Sequence, residues 1–173
     1  MLTIKSYFDL IMPEVKLSKE KDMLGDFVRV KKNDSDLRIA MHTIAKYFMR
    51  EFQNDSVLFP HPKFPSYDEK ECHGYLLTIE KSGVEMKSIA VGGFCFRRRD
   101  FGYGMQWIWL HPYVRNKGLL SRHWALLEDK FGKDFYCEPP YSHEMKSFLN
   151  KNKSESHTKH DNLKSIPMGY NKL

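Results

Sequence analysis

The sequence predicts a mixed α+β fold, a mostly antiparallel sheet with helices packed against it. Three observations point there. Between residues 74 and 110, three strand-like apolar runs follow one another with only short turns between them, the pattern of an antiparallel meander. Two stripes of apolar residues at spacings of three and four bracket that meander, as amphipathic helices do. A short strand candidate and a further helix close the series, so helices and strands must share one layered core.

The elements follow in order. Residues 1–25 are a mixed apolar and charged extension without a clear period, and the domain proper is expected over 26–150. Phe27-Val28-Arg29-Val30 alternates as a strand does. Asn33, Asp34 and Ser35 are cap-forming residues ahead of Leu37, Met41, Ile44, Ala45, Phe48 and Phe52, a helix ending near Asn54. Pro60, Pro62 and Pro65 make residues 56–69 a loop. Residues 74–80 (GYLLTIE), 88–97 (SIAVGGFCFR) and 104–110 (GMQWIWL) are the meander. Gly92-Gly93 marks a bulge or a close backbone approach within it. Leu120, Trp124, Leu127 and Phe131 predict a helix stopped by Gly132. Residues 135–137 (FYC) are a short strand broken by Pro139-Pro140, and Ser142 caps a last helix carrying Met145, Phe148 and Leu149. Residues 151–173 are a lysine-rich tail in which Leu163, Ile166, Met168 and Tyr170 offer a final strand.

The chain has 173 residues, with 28 Lys+Arg against 22 Asp+Glu and a net charge of +6. This excess favours an anionic partner without choosing among nucleic acid, an acidic protein and a polyphosphate. The composition, 41% hydrophobic and 14% aromatic, excludes disorder as the default. No stretch approaches the roughly 18 apolar residues of a membrane span, and the first residues lack a secretory signal pattern. Cys72, Cys95 and Cys137 have no CxxC spacing, and Cys72-His73 lacks partner ligands, so no metal is expected. A cytoplasmic protein is the expectation.

The chemistry concentrates in residues 107–131. An apolar strand ends at Leu110, a loop holds Arg115, Asn116, Lys117 and Gly118, and a helix starts at once. Such an arrangement presents backbone N–H groups and the positive helix end to an anion. Gly118 removes a Cβ from the approach, and Arg115 and Lys117 supply charge suited to phosphate. A pyrophosphate is the natural guest.

Strand, then Arg115-x-x-Gly118-x-x, then amphipathic helix resembles the acyl-CoA-binding motif of the GNAT superfamily of N-acyltransferases, over roughly residues 27–150. The resemblance implies a mixed sheet with helices on both faces and acetyl-CoA as co-substrate. It implies cofactor contacts from Ile108, Trp109, Leu110, Arg115, Asn116, Lys117, Gly118, Leu119, Leu120 and Ser121. The family pattern has a small residue at its last position, where this chain has Leu120. A closer likeness is to the acetyltransferase domain of cohesin-acetylating enzymes, which Asn116-Lys117-Gly118-Leu119-Leu120-Ser121-Arg122 and Glu138-Pro139 resemble. Their zinc finger has no counterpart here.

Attack of an amine on a thioester needs a proton acceptor and a donor to the developing oxyanion. The resemblance makes Glu138 the first candidate for the base, with Tyr141 and Ser142 as candidate donors to the departing thiolate. Gln106 stands where some family members carry an acidic base. Trp107 and Trp109 belong to the core, Cys137 to a buried strand, and Arg97-Arg98-Arg99 to a hairpin end or an anion contact. The acceptor amine is open between a small molecule, a protein and an RNA-borne amine, and a homodimer is compatible with the sequence. Two rival readings stand beside this one. The first is a basic nucleic-acid-binding module built on Arg97–Arg99 and the tail; the second is a GNAT-like protein that binds acyl-CoA without turnover.

Overall fold

In the computed structural model of the chain, residues 10–18, 20–63, 67–80 and 87–152 are described. The proposed strand at Leu163 to Tyr170 lies outside them. Their elements are β1 (Glu14–Lys16), β2 (Met23–Leu24), β3 (Phe27–Val30), α1 (Ser35–Phe52), β4 (Cys72–Glu80), β5 (Lys87–Arg99), β6 (Gly102–Leu110), a 3-10 turn (Pro112–Val114), α2 (Leu119–Phe131), β7 (Tyr136–Cys137) and α3 (His143–Lys151). The fold is mixed α+β, with one sheet ordered β2-β3-β4-β5-β6-β7 and β1 also paired to β5. Every pairing is antiparallel except that of β6 with β7.

Alternation along the strands sends side chains to two faces, and each face has its own core. Leu37, Met41, Ile44 and Ala45 of α1 pack with Val28, Val30, Leu76, Cys95, Trp107 and Trp109 on one face. Trp124, Leu127 and Phe131 of α2, with Leu149 of α3, pack with Phe27, Tyr75, Phe94, Phe96 and Met105 on the other. Helices therefore cover both faces. The second core is dense in rings: Phe96 lies 3.8 Å from Phe131 at 7°, and Tyr75 stacks on Phe94 at 5.0 Å.

β1 and β2 were not expected. Both lie in the 1–25 extension; β1 continues the line of β6 along β5, with Glu14 opposite Ile89 and Leu110 opposite Gly92. At Gly92 a Cβ would lie 2.8 Å from the Trp109 carbonyl, and at Gly93 2.7 Å from that of Tyr75. The glycine pair thus marks a close approach of β4, β5 and β6, and the ladder bulges beside it at Val91. Asp34 precedes α1 without a side-chain cap, because its carboxylate turns back to the Lys31 N–H at 3.1 Å. Gly132 ends α2 at φ 95°, and Ser142 caps α3.

Candidate active site

The parallel pairing of β6 with β7 stops almost as soon as it begins. Gly104 lies opposite Tyr136 and Met105 opposite Cys137, and the Glu138 N–H donates to the Met105 carbonyl at 2.9 Å. Pro139 and Pro140 follow and carry no N–H to extend the ladder. Beyond Met105, β6 runs on to Leu110 with β5 on one side and no strand on the other among the described residues.

The orientation of that edge follows from the antiparallel register. His111 donates its N–H to Val91 at 2.8 Å, so by alternation Trp109 and Trp107 face β5 while Ile108 and Leu110 face the open side. A register shift at Cys95/Phe96 puts Gln106 in a bulge and sets this phase. Half-buried apolar side chains of β6 and the segments after it, Ile108, Leu110, Val114, Leu120, Tyr141 and Met145, pack against the second core.

At the far end of this edge the chain turns into α2. Asn116 (φ 58°) and Gly118 (φ 69°) both adopt left-handed conformations, which reverse the backbone within three residues. No side chain caps the helix and no acidic residue stands in its first turn. A Cβ at Gly118 would meet nothing within 4 Å. The N–H groups of Leu119, Leu120 and Ser121 therefore sit at a positive helix end with no side-chain cap among the described residues. Lys117 and Ser121 are exposed, and Leu119 and Leu120 are half-buried.

Arg115 begins this loop, and its guanidinium is engaged by Glu51 and Leu110. Nη1 and Nη2 donate to the two carboxylate oxygens of Glu51 at 2.8 and 2.7 Å, and Nε donates to the Leu110 carbonyl at 2.6 Å. The same Glu51 accepts the Trp109 indole N–H at 2.7 Å.

Glu138 sits at the fork where β7 leaves β6. Arg99 Nε and Nη2 both donate to its Oε1, at 2.9 and 2.7 Å, so the arginine does not hold the second oxygen. Tyr136 adds a side-chain hydrogen bond to the pair. Burial first, and then the Glu138 charge, push the Tyr136 hydroxyl up to about 12. Burial pulls the Arg99 guanidinium down, and the Glu138 bond, the Glu138 charge and Tyr136 together more than restore it, for a net rise. Gly104 makes room for the cluster, since a Cβ there would lie 2.7 Å from both Glu138 Oε1 and the Tyr136 hydroxyl.

Tyr141 donates its hydroxyl to the Cys137 carbonyl at 2.9 Å, and Ser142 accepts the Met145 N–H at 3.0 Å as the cap of α3. Burial raises the Cys137 thiol to about 12, which leaves it protonated and unreactive near neutral pH. A separate groove of about 240 Å³ opens beside Lys16, Asp22, Arg29 and Asp34, away from this edge.

Arg99, Tyr136 and Glu51 were missed as site residues. Arg99 was visible only as the last of three arginines. Glu51, near the end of α1, carries no local signal that links it to Arg115, 64 residues away.

No family model matches the chain, and no curated protein matches it. Solved structures do. One, from Klebsiella pneumoniae subsp. pneumoniae MGH 78578, is provisionally described as an acyl-CoA N-acyltransferase; it is 15% identical, with 73% of this chain and 79% of that one covered and a TM-score of 0.44. Another, a ribosomal-protein-alanine N-acetyltransferase from Brucella melitensis biovar Abortus 2308, is 15% identical over 73% of this chain and 89% of its own, with a TM-score of 0.42. At that level of likeness neither bears on what this chain does.

Proposed function

We propose that this chain is a GNAT-type N-acyltransferase that moves an acetyl group from acetyl-CoA to a primary amine. One observation carries the reading: the edge of β6 beyond Met105, unpaired among the described residues, leads to an uncapped helix end with a Cβ-free approach at Gly118. A pyrophosphate on the N–H groups of residues 116–121, beside Lys117, matches that end. A pantetheine arm, amide-bearing and extended, is the ligand that can pair with Ile108 and Leu110 as a strand would. The half-buried apolar side chains of this stretch suit its methylene groups.

In this reading the thioester carbonyl lies at the fork and takes an N–H from β6 as charge develops on its oxygen. The amine attacks the carbonyl carbon, an N–C bond forms and the C–S bond breaks. Glu138 takes the proton from the amine, directly or through a water. Tyr141 gives a proton to the departing thiolate and regains one from solvent. Ser142 is assigned to capping rather than to proton transfer. Leu58 and Phe59 after α1 are held to β6 and α1, the Leu58 carbonyl accepting from Trp107 Nε1 at 2.8 Å and the Phe59 carbonyl lying 3.2 Å from His42 Nδ1, which supports a role for this stretch in shaping the acceptor side.

Calorimetric titration with acetyl-CoA, followed by assay of CoA release over a panel of amines, tests the proposal. One-to-one binding and amine-dependent release are expected. Absence of binding removes the transferase reading, and salt-dependent binding to RNA would replace it. Binding without release for any amine class leaves the non-catalytic acyl-CoA protein in its place.

A further inference from the structure

We propose that Glu51, near the end of α1, is a positioning residue for the anion-binding loop and acts through Arg115. The inference rests on the acyl-CoA reading above and refines it: the Arg115 side chain fastens the loop instead of touching phosphate. Three pieces of chain meet at one carboxylate. Glu51 Oε1 accepts from Arg115 Nη1, and Oε2 accepts from both Arg115 Nη2 and Trp109 Nε1. The Glu51 side chain is only 9% exposed, so these charge-assisted bonds form where water competes poorly. The guanidinium also lies 5.6 Å over the Trp109 ring, and its Nε holds the Leu110 carbonyl.

The arrangement ties the end of β6 to the residue that starts the loop. Directly after Arg115 the backbone passes through left-handed Asn116 and Gly118 into α2. A non-glycine residue at positive φ persists only where its surroundings enforce it. The clamp enforces it from the N-terminal side, and α2 packed in the second core enforces it from the other. Glu51 neutralises the guanidinium that a phosphate would otherwise meet at full charge, so clamp and phosphate ligand predict opposite signs for Glu51→Gln.

The experiment measures the dissociation constants of CoA and of pantetheine, which lacks the phosphates, for the full chain and for Glu51→Gln, Arg115→Lys, Arg115→Gln and the double Gln variant. Gln at 51 keeps the shape but sets an amide N–H against the guanidinium, and Lys at 115 keeps the charge but loses the planar fork. The clamp predicts that each single variant weakens CoA about tenfold, the loss of one charged hydrogen-bonded pair. The double variant should be no weaker than either single, and pantetheine should be unaffected. Tighter CoA binding by Glu51→Gln would overturn the proposal, since it would mean that Arg115, once released, reaches the phosphate. So would wild-type affinity in Arg115→Lys, or equal losses for CoA and pantetheine, the mark of general loosening. If Glu51→Gln does not fold, Arg115→Lys decides alone. Failure of the unaltered chain to bind CoA is a different result, and it removes the acyl-CoA reading itself.

Discussion

Glu138 is held in place by Arg99 and Tyr136, and its proposed work depends on that grip. Arg99 grips Oε1 from β5 with two bonds, which anchors the carboxylate at the fork, and Tyr136 adds a hydrogen bond to it. Replacing Glu138 with Gln keeps the shape and removes the base. Turnover is expected to fall about 100-fold, the usual contribution of a positioned base, with the acetyl-CoA dissociation constant unchanged by calorimetry. Arg99→Gln should also lower turnover, by releasing the carboxylate from its position. Because Arg99 acts through Glu138, the double variant should be no slower than Glu138→Gln alone. Additive losses in a steady-state assay would show instead that Arg99 meets the substrate directly.

At the level of elements, α2 and α3 begin in opposite ways. Ser142 satisfies the start of α3 through the Met145 N–H, whereas α2 starts on Gly118 with no side chain in that place. A helix end left unsatisfied beside an open strand edge is where a ligand completes the structure. The capped end is where the fold completes itself. Ser142→Ala should therefore cost about 1 kcal/mol in chemical denaturation, and Ser142→Gly only a few tenths. Turnover should follow neither, and a drop in Ser142→Gly at retained stability would make the hydroxyl a proton donor after all. Most of these elements were legible because their signals are local. The stripe from Leu37 to Phe52 and the three strand runs carry their own period. β1 and β2, three and two residues long, are too short to show one, and only pairing with β5 and β3 defines them.

For the molecule as a whole, what local pattern could not show is which distant charges meet. Arg99 and Glu138 are 39 residues apart, and Glu51 and Arg115 are 64 apart; each pair exists only because the sheet and α1 bring its members together. The motif from Arg115 to Gly118 was legible, but the direction of the Arg115 side chain was not. The same folding buries His42 and half-buries His73, neither of which the proposed chemistry uses. His42 packs under the 56–69 loop with Nδ1 at 3.2 Å from the Phe59 carbonyl. His73 lies between the rings of Tyr103 and Phe131. Burial lowers both below the usual histidine value; Lys46 adds to this at His42, and Arg29 at His73. The folded state therefore favours the neutral rings, while the unfolded chain takes up protons near pH 6.5. Stability should be fully present above about pH 6.5 and fall as the pH drops toward the lowered folded values, by at most about 1.4 kcal/mol per pH unit for each histidine. Urea denaturation between pH 7.5 and 5.5 measures that slope. Replacing His42 with Gln and His73 with Phe should flatten it, because neither substitute binds a proton in either state. A slope that survives both replacements would place the acid sensitivity outside these two rings.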